Sequence, residues 1–139
     1  MRYLEIAILV ILSTIGAKAQ TLHLYGGDNH DTYLGCLNCS SFNSSSIWNE
    51  FGSYGSSFNS NSIWNEFGTY GSKFSSYSPW NAYSSSPPAI VDRDGNFYGY
   101  LTVNRFHANR AEFDLVLELY KYHDLIREDV GKWYDKLFD

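Results

Sequence analysis

A tandem repeat of 16 residues dominates the middle of this 139-residue chain. Residues 41–56 contain the segment Ser-Ile-Trp-Asn-Glu-Phe-Gly, residues 57–72 repeat it almost unchanged, and a degenerate third copy begins at Lys73. Near-identical units in tandem adopt the same local structure and stack on their neighbours. The repeat therefore predicts an ordered layer in which equivalent side chains line up.

The third copy indicates the local structure of each unit. Pro79 stands where the first two copies have Ile47 and Ile63, directly behind a serine. Proline is favoured at the first position of a helix behind a serine cap and is excluded from the middle of a strand. We therefore predict one short helical turn per unit, with Ile47 and Phe51 on one face, and a β-solenoid coil is the alternative.

The composition of residues 40–88 supports order rather than disorder. These residues include 17 serines but also 12 aromatic residues, which is too apolar for a disordered segment. The repeated rings have two interpretations: they form the core of the stacked turns, or they form an exposed ladder that binds a ligand such as a glycan. The rings in question are Trp48, Trp64, Trp80, Tyr54 and Tyr70.

Two hairpins flank the repeat. Residues 20–39 alternate like two short strands around a turn-prone loop at residues 26–31. Residues 89–104 carry Asp94-Gly95 between apolar alternations, which is a strong hairpin signal. A calcium loop is the alternative for residues 92–95, but the sequence lacks the further ligands that such a loop requires.

The C-terminal part predicts an amphipathic helix over residues 109–138. Asn109 and Glu112 have the spacing of a capping box, and Gly131 is a candidate break. Apolar residues recur every three or four positions along one stripe, at Leu115, Leu119, Tyr122, Ile126, Val130, Trp133 and Leu137. The fold class is therefore α+β: a small antiparallel sheet of two hairpins, a layer of repeats and this helix.

The first residues predict export. Residues 1–19 have a basic start, an apolar run and the cleavage pattern Ala-Lys-Ala, so residues 20–139 form the single exported domain. The apolar run is too short for a transmembrane span. Cys36 and Cys39 then predict a disulfide, with a redox dithiol or half a metal site near His23 and His30 as alternatives. No metal or other cofactor is predicted.

Catalytic candidates are few. His107, between Arg105 and Arg110 before the helix, could act as a general base or hold an anion, and a polar linker is the plainer interpretation. The chain has no nucleophile elbow and no glycine-rich phosphate loop. Its net charge of −5 argues against nucleic acid as a partner.

Three segments carry a resemblance to a known group. They are Tyr-Leu-Gly-Cys-Leu-Asn-Cys at 33–39, the Ser-Ile-Trp-Asn-x-Phe-Gly-x-Tyr-Gly units, and Pro-Pro-x-Ile-Val-Asp with Gly-Asn-Phe-Tyr-Gly-Tyr-Leu-Thr at 87–102. In this order they resemble a family of uncharacterised exported bacterial proteins, over roughly residues 33–104. The resemblance implies a bacterial envelope origin, periplasmic or extracellular, and no activity.

The sequence thus favours a non-catalytic envelope module that binds a glycan or a protein partner. A small secreted hydrolase using His107 and a purely structural accessory protein are the alternatives. Nothing in the sequence fixes the oligomeric state.

Overall fold

The computed structural model describes residues 20–139, so the predicted signal peptide lies outside the described residues. The α+β class is confirmed: four short strands form one antiparallel sheet, and two helices follow at the C-terminal end. The elements are β1 (His23–Gly26), β2 (Thr32–Cys36), β3 (Ala89–Val91), β4 (Phe97–Tyr100), α1 (Asp114–Glu128) and α2 (Val130–Phe138).

Both predicted hairpins are present and lie side by side in the strand order β2-β1-β3-β4. The β3–β4 turn contains Asp94-Gly95 as predicted, with Gly95 at a φ of +83° that favours glycine. Each outer edge of the sheet is paired with another segment. Cys36 on β2 exchanges hydrogen bonds with the first repeat, and Tyr100 on β4 does so with Asn109 and Ala111.

The repeats consist of consecutive β-turns, which differs from both local structures considered for them. The described residues 40–88 contain no α-helix, and the hydrogen bonds run from each turn's fourth residue to its first. In the first copy these turns begin at Ser40, Asn43, Ser46 and Asn49, and a fifth, wider turn is closed by a bond from the N–H of Ser56 to the carbonyl of Gly52.

The spacing of serine and asparagine explains why turns form instead of a helix. Such a residue opens most turns, and its side-chain oxygen accepts the backbone N–H two residues on: Ser46 Oγ from Trp48 at 3.0 Å, and Asn49 Oδ1 from Phe51 at 3.1 Å. These local bonds compete with helix formation. A three-residue period also turns Ile47 inward and Phe51 outward, so the prediction that they share a face is wrong.

The turns of one copy close into a coil, and tryptophans join the coils to one another. The indole N–H of Trp64 donates to the carbonyl of Ile47 at 2.7 Å, and that of Trp80 donates to the carbonyl of Ile63 at 2.6 Å. Trp48 makes the equivalent bond to Leu37, at the end of the first hairpin. The rings of Trp64 and Trp80 are stacked, with 5.4 Å between their centroids, and Trp48 lies 5.8 Å from Trp64 with its ring tilted by 48°.

The predicted C-terminal helix is present in shorter form. The first helix begins at Asp114. Asn109 has a left-handed φ of +61° and does not cap this helix, so the predicted capping box is wrong. The break lies at Asp129 instead of Gly131, since the Asp129 carboxylate accepts the N–H of Lys132 and caps α2. The apolar stripe of both helices packs on the tryptophan side of the coils and completes one core.

A disulfide joins Cys36 to Cys39, as predicted, with 5.6 Å between their Cα atoms. The surrounding backbone is bonded to the first coil: the N–H of Cys36 donates to Ser45, and the hydroxyl of Ser46 donates to the carbonyl of Cys39. The disulfide therefore fixes the junction between sheet and repeats.

Candidate functional site

The three repeat tryptophans belong to the core. Trp48 and Trp64 have no exposed surface, and Trp80 is 3% exposed. Each indole N–H also donates a hydrogen bond to a backbone carbonyl, so it is not available to a ligand. The interpretation of these rings as an exposed binding ladder is therefore wrong, and their interpretation as the core of the stacked turns is the one the structure supports.

The two repeat tyrosines lie at the seam between coils and first hairpin. Tyr54 is half-buried with its ring edge-on to Tyr33, 5.0 Å between centroids. Tyr70 is also half-buried, and a Cβ placed on Gly26 would lie only 3.1 Å from its ring. Both side chains therefore hold the hairpin against the coils and expose only part of their surface.

A different set of repeat rings is exposed. In each coil, one ring lies two residues after the serine that begins the first turn, and another lies two residues after the asparagine that begins the fourth turn. All six rings are between 88% and 94% exposed. We call the first set row one and the second set row two. Row one consists of Phe42, Phe58 and Phe74, and row two consists of Phe51, Phe67 and Tyr83.

The backbone under every ring of the two rows is fixed. Each N–H donates to the side chain two residues earlier, at distances from 2.9 to 3.2 Å, as Phe58 does to Ser56 and Phe67 to Asn65. The turns thus present rings on a rigid frame. Because equivalent rings recur on stacked coils, a long ligand can contact several of them at once.

Clefts separate neighbouring rings of the two rows. A cleft of about 270 Å³ has Phe51 and Phe58 on its walls, and one of about 550 Å³ has Phe58 and Phe67. Arg127 and Glu128 from the end of α1 line both clefts. Phe58 therefore lies between two openings and is the central ring of the surface.

Arg127, which lines both clefts, belongs to a small network of ion pairs. Arg127 bonds to Glu66 at 3.1 Å and to Asp124 at 3.2 Å, and Lys73 bonds to Asp124 at 3.0 Å. Burial raises the pKa of the Asp124 carboxyl, but the hydrogen bond from Lys73 and the nearby His123, Lys73 and Arg127 outweigh it, so the pKa lies below its ordinary value. These pairs attach α1 to the second and third coils. Glu50 and Glu128 also line the clefts, and neither forms an ion pair with another described residue, so the unpaired charge beside the rings is negative.

The structure does not assemble a catalytic site around His107. Its Nδ1 lies 2.9 Å from the carbonyl of Ala108, and its ring meets the edge of Tyr100. Arg110 is directed elsewhere, with its guanidinium on the carbonyl of Thr102 and over the Tyr120 ring. Within residues 20–139 no carboxylate lies within 4.0 Å of a His107 nitrogen, so an acid partner for this base is missing there.

Asp92, in the candidate calcium loop, accepts hydrogen bonds within the β3–β4 hairpin. Its carboxylate accepts the side chain of Asn96, the hydroxyl of Tyr98 and the backbone N–H groups of Asp94 and Asn96. These bonds, the Asn96 side chain foremost, hold the pKa of Asp92 at about 2. Across the described part of the chain, no three His, Cys, Asp or Glu side chains are grouped so as to hold a metal ion.

Comparison of the chain with protein-family models, with curated proteins and with solved structures found no match. Among the helices of residues 20–139, none has both the length and the apolar character needed to span a bilayer.

Proposed function

We propose that this protein is a non-catalytic, exported envelope module that binds a polysaccharide through rows one and two. The observation that carries the proposal is the repeated, near-complete exposure of six rings on a rigid frame. Proteins rarely expose contiguous apolar rings in water without a partner to cover them. An aromatic face suits the C–H faces of a pyranose ring, which are apolar although the rim of the sugar is polar.

The neighbours of the rings support a polar polymer as the ligand. In row one, Phe42 and Phe58 each stand between a serine and an asparagine, whereas Phe74 stands between Lys73 and Ser75. The hydroxyl and amide groups of serine and asparagine both donate and accept hydrogen bonds. The repeat of the rings along stacked coils suits a ligand that itself repeats, since several weak contacts then add up. An anionic membrane surface is disfavoured because the chain carries a net charge of −5.

A protein partner is the second candidate, and one observation favours it. Five of the six rings are phenylalanine, which has no hydroxyl and suits a fully apolar contact. Apolar rings of this kind are common anchors in protein interfaces. The two candidates predict different results in the same experiment.

The test is co-sedimentation of the protein with insoluble glycans, including peptidoglycan sacculi, chitin and cellulose. We expect at least one glycan to retain the protein, and Phe58→Ser to weaken that retention because it removes the central ring. Phe97→Ser is the matched control, since Phe97 is also exposed but lies on β4, outside both rows. Retention that Phe58→Ser leaves intact would contradict the proposal, and failure of every glycan to retain the protein would favour a protein partner.

A further inference from the structure

A second concave site lies on the face of the sheet that is turned away from the main core. Leu22, directly before β1, and Leu24 on β1 are buried, whereas His23 and Tyr25 alternate with them and are half-buried on the other face. Tyr33 is the partner of Tyr25 on β2. These side chains line a groove of about 580 Å³ that we call the tyrosine groove, and Ser45, Asp92 and Arg93 also line it.

Two tyrosines form the aromatic part of this groove. The rings of Tyr25 and Tyr33 lie 5.3 Å apart between centroids and are tilted by 58°, and Tyr54 supports Tyr33 from the coil side. The Tyr33 hydroxyl lies 2.8 Å from Nδ1 of His23. Burial raises the pKa of the Tyr33 phenol above its ordinary value. The groove therefore has ring faces whose positions are fixed before any ligand binds.

The groove also has a cation at its rim. Arg93 is exposed, and within residues 20–139 no carboxylate lies within 4.0 Å of its guanidinium. The neighbouring Asp92 carboxylate is occupied by four hydrogen bonds from the hairpin, and Asp94 stands exposed at the tip of the same turn. Burial first, and then the Arg93 charge, lowers the pKa of His23 and favours its neutral form.

We propose that the tyrosine groove binds an acidic saccharide, a hexuronate whose pyranose ring rests on Tyr25 and Tyr33 while its carboxylate pairs with Arg93. A guanidinium matches a carboxylate with two parallel hydrogen bonds, which a neutral sugar does not offer. Ring faces next to a guanidinium thus select sugars that carry an acid group. The tyrosine groove shares only the class of ligand with the two aromatic rows, because none of the six rings of rows one and two lines this groove.

The experiment is isothermal titration of the protein with soluble oligoglucuronate, with a neutral glucose oligomer of equal length and with inorganic phosphate. We expect oligoglucuronate to bind, and Arg93→Gln to weaken that binding about tenfold, the usual consequence of losing a charge-assisted hydrogen bond. Tyr25→Leu should also weaken it, because leucine has no flat ring face.

Two controls separate this site from the aromatic rows. Arg105→Gln makes the same change in charge at another exposed arginine outside the groove and should leave binding unchanged. Phe58→Ser should also leave it unchanged, so loss of glycan co-sedimentation and loss of uronate binding are distinguishable. The proposal is overturned if Arg93→Gln binds like wild type, if the neutral oligomer binds equally well, or if phosphate binds as tightly as oligoglucuronate.

Discussion

The imidazole ring of His123 lies parallel to the indole ring of Trp80, with 4.6 Å between the ring centroids and 1° between the ring planes. It extends the tryptophan stack of the coils by one more ring, contributed by α1. Its Nδ1 lies 3.0 Å from the carbonyl of Tyr120, to which it donates. His123 is therefore the point at which the helix closes the open end of the stack.

This position makes the stability of the domain depend on pH. Burial lowers the pKa of His123 from its ordinary 6.5. At pH values between the lowered pKa and 6.5, His123 is mostly protonated in the unfolded chain and mostly neutral in the folded protein. The free energy of unfolding therefore falls as the pH falls through this interval. The contribution of the neutral ring is fully present above pH 6.5.

We expect His123→Phe to reduce the loss of stability between about pH 7.5 and about pH 5, because phenylalanine keeps a stacked ring but does not titrate. The lowered pKa of His23 acts in the same sense, so part of the pH dependence should remain. Urea unfolding of the variant and wild type at both pH values measures the difference. An unchanged pH dependence in the variant would show that His123 is not responsible.

Trp64 and Phe58 stand six residues apart in the second copy and should behave in opposite ways. Trp64→Ala should lower the free energy of unfolding by about 3–5 kcal/mol, because it leaves a cavity in the core and removes a bond between coils. Phe58→Ala removes an almost wholly exposed ring and should change stability by no more than about 0.5 kcal/mol. Denaturant titrations of both variants test this contrast, and equal losses would contradict the inside-outside assignment.

The sequence predicted the elements that depend on local signals. Alternation gave the two hairpins, the Asp94-Gly95 pair gave one of the turns, and the apolar stripe gave the C-terminal helical segment. The register of the repeat was also predicted. Aligning the sequence with itself at an offset of 16 residues superimposes the copies, whatever conformation they adopt. Trp48, Trp64 and Trp80 were therefore expected at equivalent positions of successive coils.

The faces of the repeat could not be predicted from helical spacing. Ile47 and Phe51 are four apart, which places them together on a helix, but a chain of β-turns that recur every three residues directs one inward and the other outward. The neighbours carried a usable signal: Ile47 stands directly before the buried Trp48, whereas Phe51 stands between Glu50 and Gly52. The contact of His123 with Trp80 depends on tertiary packing across 43 positions of the chain, so no local pattern indicates it.

Asp92 should contribute to the acid stability of the β3–β4 hairpin. Because its pKa is held at about 2, below the ordinary 3.8, its contribution is fully present above pH 3.8 and is lost as the pH falls towards 2. Asp92→Ala should lower the melting temperature at neutral pH, since four donors lose their acceptor. Asp94→Ala is the matched control on the same turn. Equal melting temperatures for the two variants would contradict the role assigned to Asp92.

Proline substitutions at Ile47 and Ile63 test the turn structure most sharply. Ile63 is the second residue of the turn closed by a bond from the N–H of Asn65 to the carbonyl of Ser62. Proline suits that position of a β-turn, and Pro79 already occupies it in the third copy. Ile47 has the same place in its own coil, but its N–H donates to the carbonyl of Cys36 at 3.0 Å and so pairs the coil with β2.

We therefore expect Ile63→Pro to lower the free energy of unfolding by on the order of 1–2 kcal/mol, because the proline side chain is smaller than isoleucine and makes less apolar contact in the core. Ile47→Pro should cost about 1–3 kcal/mol more, because it also leaves the buried carbonyl of Cys36 without its donor. Urea titrations give both values, and circular dichroism confirms that each variant folds. Unfolding of the domain by Ile63→Pro would show that the repeat backbone does not form these turns, and equal costs at the two positions would show that Ile47 does not pair the first coil with the sheet.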